Sequence, residues 1–185
     1  MNMKKSLWII LLASVVFHLS ACEKQQTNQL NCQEPKACFE KGEDYFLYQK
    51  DYTQAKMYYE KAAEQGYAEA QNRLGIMYSS SIYGLEINYA KAKEYYEQAA
   101  EQGLKQAQFN LGNMYKHGKG VPQDYAQTIK WYKKAAAQGA DPAQYDLGVM
   151  YAKGLGVEKD LSQAKVYFEQ ACQNNYQSAC RELKE

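Results

Sequence analysis

The chain has 185 residues, with 22 lysines and arginines against 21 aspartates and glutamates, so its formal net charge is only +1. Nucleic-acid binding calls for a concentrated basic face, and no such concentration of charge is visible, so we expect no nucleic-acid partner. The length is sufficient for one domain with its own hydrophobic core.

The first residues have the pattern of an export signal. Two lysines precede the segment 7–16, which is apolar apart from one serine and too short to span a membrane as a helix of about 20 residues. The sequence Leu-Ser-Ala-Cys at 19–22 resembles the bacterial lipobox. We therefore expect a lipoprotein signal peptide over 1–21, a membrane anchor through lipidated Cys22, and a location in the bacterial cell envelope.

Two further expectations concern the segment behind the anchor. By resemblance to lipoprotein sorting in Gram-negative bacteria, Glu23 after the cysteine favours the outer membrane, with the protein facing the periplasm. Residues 22–34 are polar and lack periodicity, which indicates a flexible tether.

With Cys22 lipidated, an even number of cysteines remains, which outside the cytoplasm suggests two disulfides with three possible pairings. These cysteines are Cys32, Cys38, Cys172 and Cys180.

Two sequence motifs recur in register through the rest of the chain. A Tyr-Tyr-Glu-Lys-Ala-Ala-Glu-Gln-Gly segment and its variants alternate with a Leu-Gly-x-Met-Tyr motif, at a spacing of 36 or 37 residues. Interleaved motifs at a fixed period predict an array of helical repeats, each with two antiparallel helices, A and B. The first motif occupies 58–66, 95–103, 131–139 and 167–175, and the second occupies 74–78, 111–115 and 147–151.

Start and stop residues define helix B in all four copies. Each copy begins with an aspartate or asparagine that can cap the first turn, and in three copies a glutamine three residues later predicts a capping box. Each copy ends at glycine or asparagine, the residue types that tolerate left-handed backbone. The starts are Asp51, Asn88, Asp124 and Asp160, and the ends are Gly66, Gly103, Gly139 and Asn175.

Small and aromatic residues alternate along helix B and predict a packed seam between helices. The tyrosines of this stripe are interpreted as core residues. A glycine within a helix costs about 1 kcal/mol relative to alanine, so the Leu-Gly pairs of helix A predict close approach of a neighbouring helix.

These residues closely resemble the Sel1-like repeat (SLR), a relative of the tetratricopeptide repeat (TPR). The resemblance covers about 37–180 and implies an all-α fold, an α/α right-handed superhelical solenoid of about four TPR/SLR-type helix pairs over 35–185. A shorter first A–B connection and the segment 79–84 depart from the family pattern. In the third repeat the resemblance rests on Ala107, Gln108, Leu111, Gly112, Met114, Tyr115, Gly118, Gly120, Val121, Asp124, Trp131, Tyr132, Lys134, Ala135, Ala136, Gln138 and Gly139.

The ends of the array predict the disulfide pairing. Residues 178–185 are expected to form a short C-terminal cap helix. On one continuous helix, Cys172 and Cys180 would lie about 12 Å apart, too far for a disulfide, but a turn at 174–175 folds them together. We expect this pair and Cys32–Cys38, because crossed pairs would join opposite ends of an elongated array. The spacing also resembles that of the cysteine-rich SLR proteins of Helicobacter.

No motif predicts catalysis, and we expect no enzyme activity, cofactor or metal site. His117 is expected in the A–B loop, without a cysteine pair or carboxylate cluster nearby in sequence. Some Helicobacter relatives have been described as β-lactam-cleaving, and Ser162 and Lys165 match the Ser-x-x-Lys motif of serine β-lactamases. Neither Ser-Asp-Asn nor Lys-Thr-Gly occurs in the chain, so we interpret Ser162 as a helix-start residue.

Relatives of this repeat hold proteins or peptides on a concave surface formed by helices A. We therefore predict a monomeric, lipid-anchored scaffold with a protein or peptide ligand on that face, and expect Arg73 and Asn110 to face solvent. An immunity protein that neutralises a delivered toxin is one alternative, and a weak β-lactamase-like hydrolase is another. The predicted partner-binding residues are Asn72, Arg73, Phe109, Asn110, Asn113, Tyr145 and Asp146.

Overall fold

The computed structural model describes residues 32–184, and this part of the chain contains nine α-helices and no strand. Odd-numbered helices are the A helices and even-numbered helices are the B helices, which gives four A–B pairs and a final A helix. The predicted all-α solenoid is confirmed. In chain order the helices are α1 (Pro35–Asp44), α2 (Tyr52–Glu64), α3 (Ala68–Tyr78), α4 (Tyr89–Glu101), α5 (Lys105–His117), α6 (Tyr125–Ala137), α7 (Asp141–Lys153), α8 (Leu161–Gln173) and α9 (Gln177–Glu182).

The predicted signal peptide, the lipidation site Cys22 and most of the predicted tether lie outside the described residues. No helix within residues 32–184 is long and apolar enough to cross a membrane.

The predicted N-caps of the B helices are confirmed. In all four, the capping side chain accepts a hydrogen bond from the backbone N–H three residues on, as Asp124 does from Gln127 at 3.0 Å. The other half of the predicted capping box, a hydrogen bond from the backbone N–H of the capping residue to the glutamine side chain three residues later, is wrong. The backbone N–H of Asp124 donates instead to the Tyr115 carbonyl at 3.0 Å, so the capping residue joins helix B to the end of the preceding helix A.

The B-to-A turns also follow the prediction. Gly66, Gly103, Gly139 and Asn175 all have positive φ, as a left-handed C-cap requires. After Gly66, the N–H of Tyr67 donates to the Ala62 carbonyl at 3.1 Å, which is the six-to-one bond of a Schellman cap.

A glycine in each of the first four A helices lies against an aromatic ring of the following B helix. A Cβ atom at Gly112 would lie 2.5 Å from the Tyr132 ring, and one at Gly148 would lie 2.5 Å from the Phe168 ring. Real Cβ atoms do not approach so closely, so the ring and the glycine backbone are in direct contact. The predicted close approach is confirmed, and the same pairing joins Gly42 to Tyr59 and Gly75 to Tyr96.

The A–B loops pack on the start of the preceding B helix. Gly120 and Gly156 have positive φ. A Cβ atom at Gly120 would lie 2.4 Å from the Cβ of Tyr89, and one at Gly156 would lie 2.4 Å from the Cβ of Tyr125. The second repeat has no such glycine. Its loop forms a short 3-10 turn, Ser81–Tyr83, and the Tyr83 ring packs on Tyr52 with centroids 5.2 Å apart. An aromatic side chain therefore replaces the glycine contact where the sequence departs from the family pattern.

Both predicted disulfides are present, Cys32–Cys38 and Cys172–Cys180, with Cα atoms 5.1 and 4.8 Å apart. When the A helices are superposed by repeat, Cys38 and Cys180 occupy the position that glutamine holds in the three internal A helices. There the glutamine amide donates to a carbonyl eight residues earlier, as Gln108 does to Ala100 at 3.1 Å. A covalent bond replaces this hydrogen bond at the C-terminal end, where Cys172 lies eight residues before Cys180.

Candidate binding surfaces

Polar side chains join each A helix to the next one along the array. We call this set the helix A row; it comprises Glu43, Asn72, Arg73, Asn110, Lys116, Tyr145, Asp146 and Glu182. Each contact in the row joins two different repeats and connects residues 30 to 38 positions apart in sequence.

An ion pair begins the row. Arg73 of α3 donates from Nε and Nη2 to the two carboxylate oxygens of Glu43 in α1, both at 2.8 Å. The Tyr59 hydroxyl donates to the same carboxylate, and the guanidinium lies 5.7 Å from the Phe46 ring. Two-point contact fixes the orientation of both side chains as well as their separation.

The row continues through the remaining A helices. Asn110 donates to Asn72 at 3.0 Å, Lys116 contacts Asp146 at 3.0 Å, and the Tyr145 hydroxyl donates to Glu182 at 3.4 Å. Every consecutive pair of A helices is therefore joined by at least one polar contact. These contacts hold the side chains of the row in place.

All predicted partner-binding residues lie on or beside this row, but the expectation that Arg73 and Asn110 face solvent is wrong. Asn72 is only 8% exposed, and Arg73 and Asn110 are half-buried and hydrogen-bonded. The reason is the close spacing of the A helices, which brings each side chain against the next repeat.

The other four predicted residues have mixed roles, and Asp146 is the partner of Lys116 described above. The Phe109 ring stacks on Tyr132 with centroids 5.3 Å apart, and Tyr145 packs against Phe168 at 5.7 Å. Asn113 accepts a hydrogen bond from the Tyr132 hydroxyl at 2.6 Å. Phe109 and Tyr145 are therefore packing residues as well as surface residues.

Buried tyrosines beneath the row make stability sensitive to alkaline pH. Burial raises the pKa of Tyr96 to about 12, from an ordinary value of about 10. The folded protein then keeps a proton that the unfolded chain releases, so stability is complete below about pH 10 and falls as pH rises towards 12.

We expect Tyr96→Phe to reduce the loss of stability between pH 9 and pH 11 by about 1.3 kcal/mol. Urea unfolding at the two pH values measures this difference. Tyr48, which is 80% exposed, provides the matched control, because Tyr48→Phe removes an exposed hydroxyl. If Tyr96→Phe and Tyr48→Phe changed the pH-dependent loss of stability equally, the raised pKa of Tyr96 would not be its cause.

A second kind of surface, which the sequence analysis missed, lies between consecutive B helices. One cleft between α2 and α4 is lined by Glu60, Glu64 and Glu94. The corresponding cleft between α6 and α8 has a volume of about 470 Å³ and is lined by Lys133, Tyr167 and Gln170. The two clefts therefore differ in charge although they occupy the same place in the repeat. Aligning the repeats residue by residue would have shown this change.

The residues considered for catalysis do not form a site. His117 is exposed and ends helix α5, so its predicted place in the A–B loop is wrong. Ser162 is exposed in the first turn of α8, and Lys165 lies 3.9 Å from Glu169. Across the described range 32–184, no group of three His, Cys, Asp or Glu side chains could hold a metal ion.

Comparison with known families identifies the repeat. The Sel1 repeat family matches at residues 37–67, 68–104, 105–139 and 141–176. The chain therefore belongs to the Sel1 repeat family. Proteins of this family generally mediate protein–protein interactions and are generally non-enzymatic. A comparison with curated proteins gave no match.

Solved structures of the same fold are similar to this chain. The protective antigen c5321 from uropathogenic Escherichia coli strains, which displays an SLR fold, is 39% identical over 86% of this chain, with a TM-score of 0.77. This chain spans only 34% of that protein's length. A Sel1 repeat protein from Oxalobacter formigenes is 39% identical over 69% of this chain and 96% of its own, with a TM-score of 0.63. Cysteine-rich protein B from Helicobacter pylori is 29% identical over 75% of this chain and 99% of its own, with a TM-score of 0.58.

Proposed function

We propose that this protein is a lipid-anchored scaffold of the bacterial cell envelope that binds another protein or a peptide along the helix A row. The observation that carries the proposal is the unbroken set of polar contacts between consecutive A helices. Side chains that are already immobilised lose little conformational freedom on binding, which favours affinity.

The composition of the row supports a polypeptide ligand. Carboxylate, guanidinium, ammonium, amide and phenol groups alternate along it, which suits the mixed donors and acceptors of a peptide better than a uniformly charged ligand. Half-buried apolar residues, Ile76 on α3 and Val149 on α7, lie one position after the A-helix glycines and add contact area beside the polar groups.

Photo-crosslinking tests where the partner binds. A photoreactive amino acid at Ile76 or Val149 should form a crosslinked species of one defined mass with envelope proteins. The same residue at Lys91 of α4 or Ala126 of α6, both exposed on B helices, serves as the matched control. Crosslinks that form equally from the A and B positions would overturn the assignment of the binding face.

The lipid anchor is supported by the Leu-Ser-Ala-Cys sequence at 19–22, thirteen residues before the first helix begins at Pro35. Cys22→Ser should abolish palmitate labelling and release the protein from the membrane fraction, whereas Asn28→Ser in the same segment should change neither. Labelling that persists in Cys22→Ser would contradict the anchor.

Sorting is tested at the next residue. Glu23→Asp should move the protein from outer-membrane to inner-membrane fractions. Recovery of the wild-type protein in the inner membrane would contradict the proposed location without affecting the proposed binding face.

A further inference from the structure

Glutamine side chains close the gaps between consecutive B helices. Gln71 and Gln108, from the internal A helices, are buried and donate from Nε2 to the carbonyls of Ala63 and Ala100. Their own carbonyl oxygens accept a hydrogen bond from the C-cap glutamine of the next B helix. Gln102 donates to Gln71 at 2.7 Å, and Gln138 donates to Gln108 at 2.9 Å.

The last of these gaps is not closed in the same manner. Gln144 donates to the Ala136 carbonyl at 3.2 Å, like its counterparts. The C-cap residue of α8 is Asn174, which is one methylene shorter than glutamine, and its amide donates to Asp141 at 2.6 Å instead. Among residues 32–184, Gln144 Oε1 is the buried side-chain polar atom that lacks a hydrogen-bond partner, and Gln144 is only 6% exposed.

Gln144 lines the 470 Å³ cleft between α6 and α8, together with Lys133, Gly139, Tyr167 and Gln170. Lys133 is the one charged side chain among the residues that line the cleft. A hydrogen bond with the Tyr151 hydroxyl raises the pKa of Lys133, so its ammonium stays charged. The cleft thus combines a lysine ammonium, an unpaired buried acceptor and an aromatic ring.

We propose that this cleft binds the carboxyl-terminal residue of a polypeptide. The carboxylate pairs with Lys133, the backbone N–H of the same residue donates to Gln144 Oε1, and its side chain lies against Tyr167. An unpaired buried acceptor favours a ligand that brings an N–H donor, since pairing removes its desolvation penalty. The cleft volume lies within the range of small-ligand sites.

The counterpart cleft between α2 and α4 explains why the site is confined to the end of the array. Gln71 there already has its donor, Gln102, and three glutamates line the cleft, so a carboxylate is repelled. The proposed site is separate from the helix A row and does not depend on it.

The binding of N-acetyl-glycyl-leucine to the full chain, monitored by NMR titration, tests the proposal. The free acid should shift the side-chain amide signal of Gln144, assigned by its loss in Gln144→Met. The carboxamide of the same peptide, and the peptide methylated on the leucine nitrogen, should each bind about tenfold more weakly or not measurably. Equal binding of the acid and the carboxamide would overturn the proposal.

Variants at Asn174 give an independent arm. Asn174→Gln restores the donor found in the internal repeats and should weaken binding of the free acid about tenfold. Asn174→Ala also removes the contact with Asp141 but supplies no donor, so it should bind like wild type. Lys133→Gln should weaken binding, whereas Lys130→Gln, at an exposed lysine of the same helix, should not. Unchanged affinity in Asn174→Gln, with an intact thermal melt, would exclude Gln144 as the acceptor.

Discussion

Gly112→Val should lower the free energy of unfolding by about 3 kcal/mol, at the upper end of the range for overpacking. Even a single Cβ atom at this position would lie 2.5 Å from the Tyr132 ring, which is fully buried and cannot move aside. The expected decrease in Tm is roughly 10 °C, measured by circular dichroism and confirmed by urea unfolding.

A matched glycine separates crowding from backbone conformation. Gly66 has φ of +81° and no atom within 4 Å of an added Cβ, so Gly66→Ala should cost about 1 kcal/mol through backbone strain alone. Combining Gly112→Ala with Tyr132→Leu should cost less than the sum of the single changes, since the smaller side chain relieves the clash. If the two costs were additive, contact with the Tyr132 ring would not be the cause of the destabilisation at Gly112.

The local part of the fold could be predicted from the sequence because each signal acts over a few residues. Asp124 caps the helix that it precedes, Gly139 ends that helix, and the spacing between such pairs gives the repeat. The pairing of Cys172 with Cys180 could also be predicted from the sequence, because the turn at 174–175 that brings them together is a local feature.

The surface of the array was harder to predict because it depends on register between repeats. Asn110 meets Asn72 across 38 residues, and Arg73 meets Glu43 across 30, so neither pairing follows the 36- to 37-residue period. Side chains that looked exposed on a single helix are half-buried once the next repeat packs beside them. The shortening from glutamine to Asn174 was visible in the sequence, but its consequence for Gln144 required the geometry of the cleft.

Arg73→Glu should destabilise the protein by about 2–3 kcal/mol, somewhat less than for a fully buried ion pair. The side chains of Arg73 and Glu43 are 33% and 20% exposed, and the change would place two carboxylates where one bidentate pair stood. Adding Glu43→Gln should recover part of the loss by removing the repulsion. Urea unfolding of the single and double variants measures both effects.

Lys36→Glu is the control for charge reversal, because Lys36 and its partner Glu40 are 73% and 65% exposed and lie 3.8 Å apart. Exposed pairs of this kind contribute little, so this change should stay within about 0.5 kcal/mol of wild type. Similar losses for Lys36→Glu and Arg73→Glu would mean that net charge, and not the contact between α1 and α3, determines stability. Because Arg73 supports the fold, reduced partner binding in Arg73→Glu would not by itself identify a contact residue, whereas crosslinking from Ile76 reports contact directly.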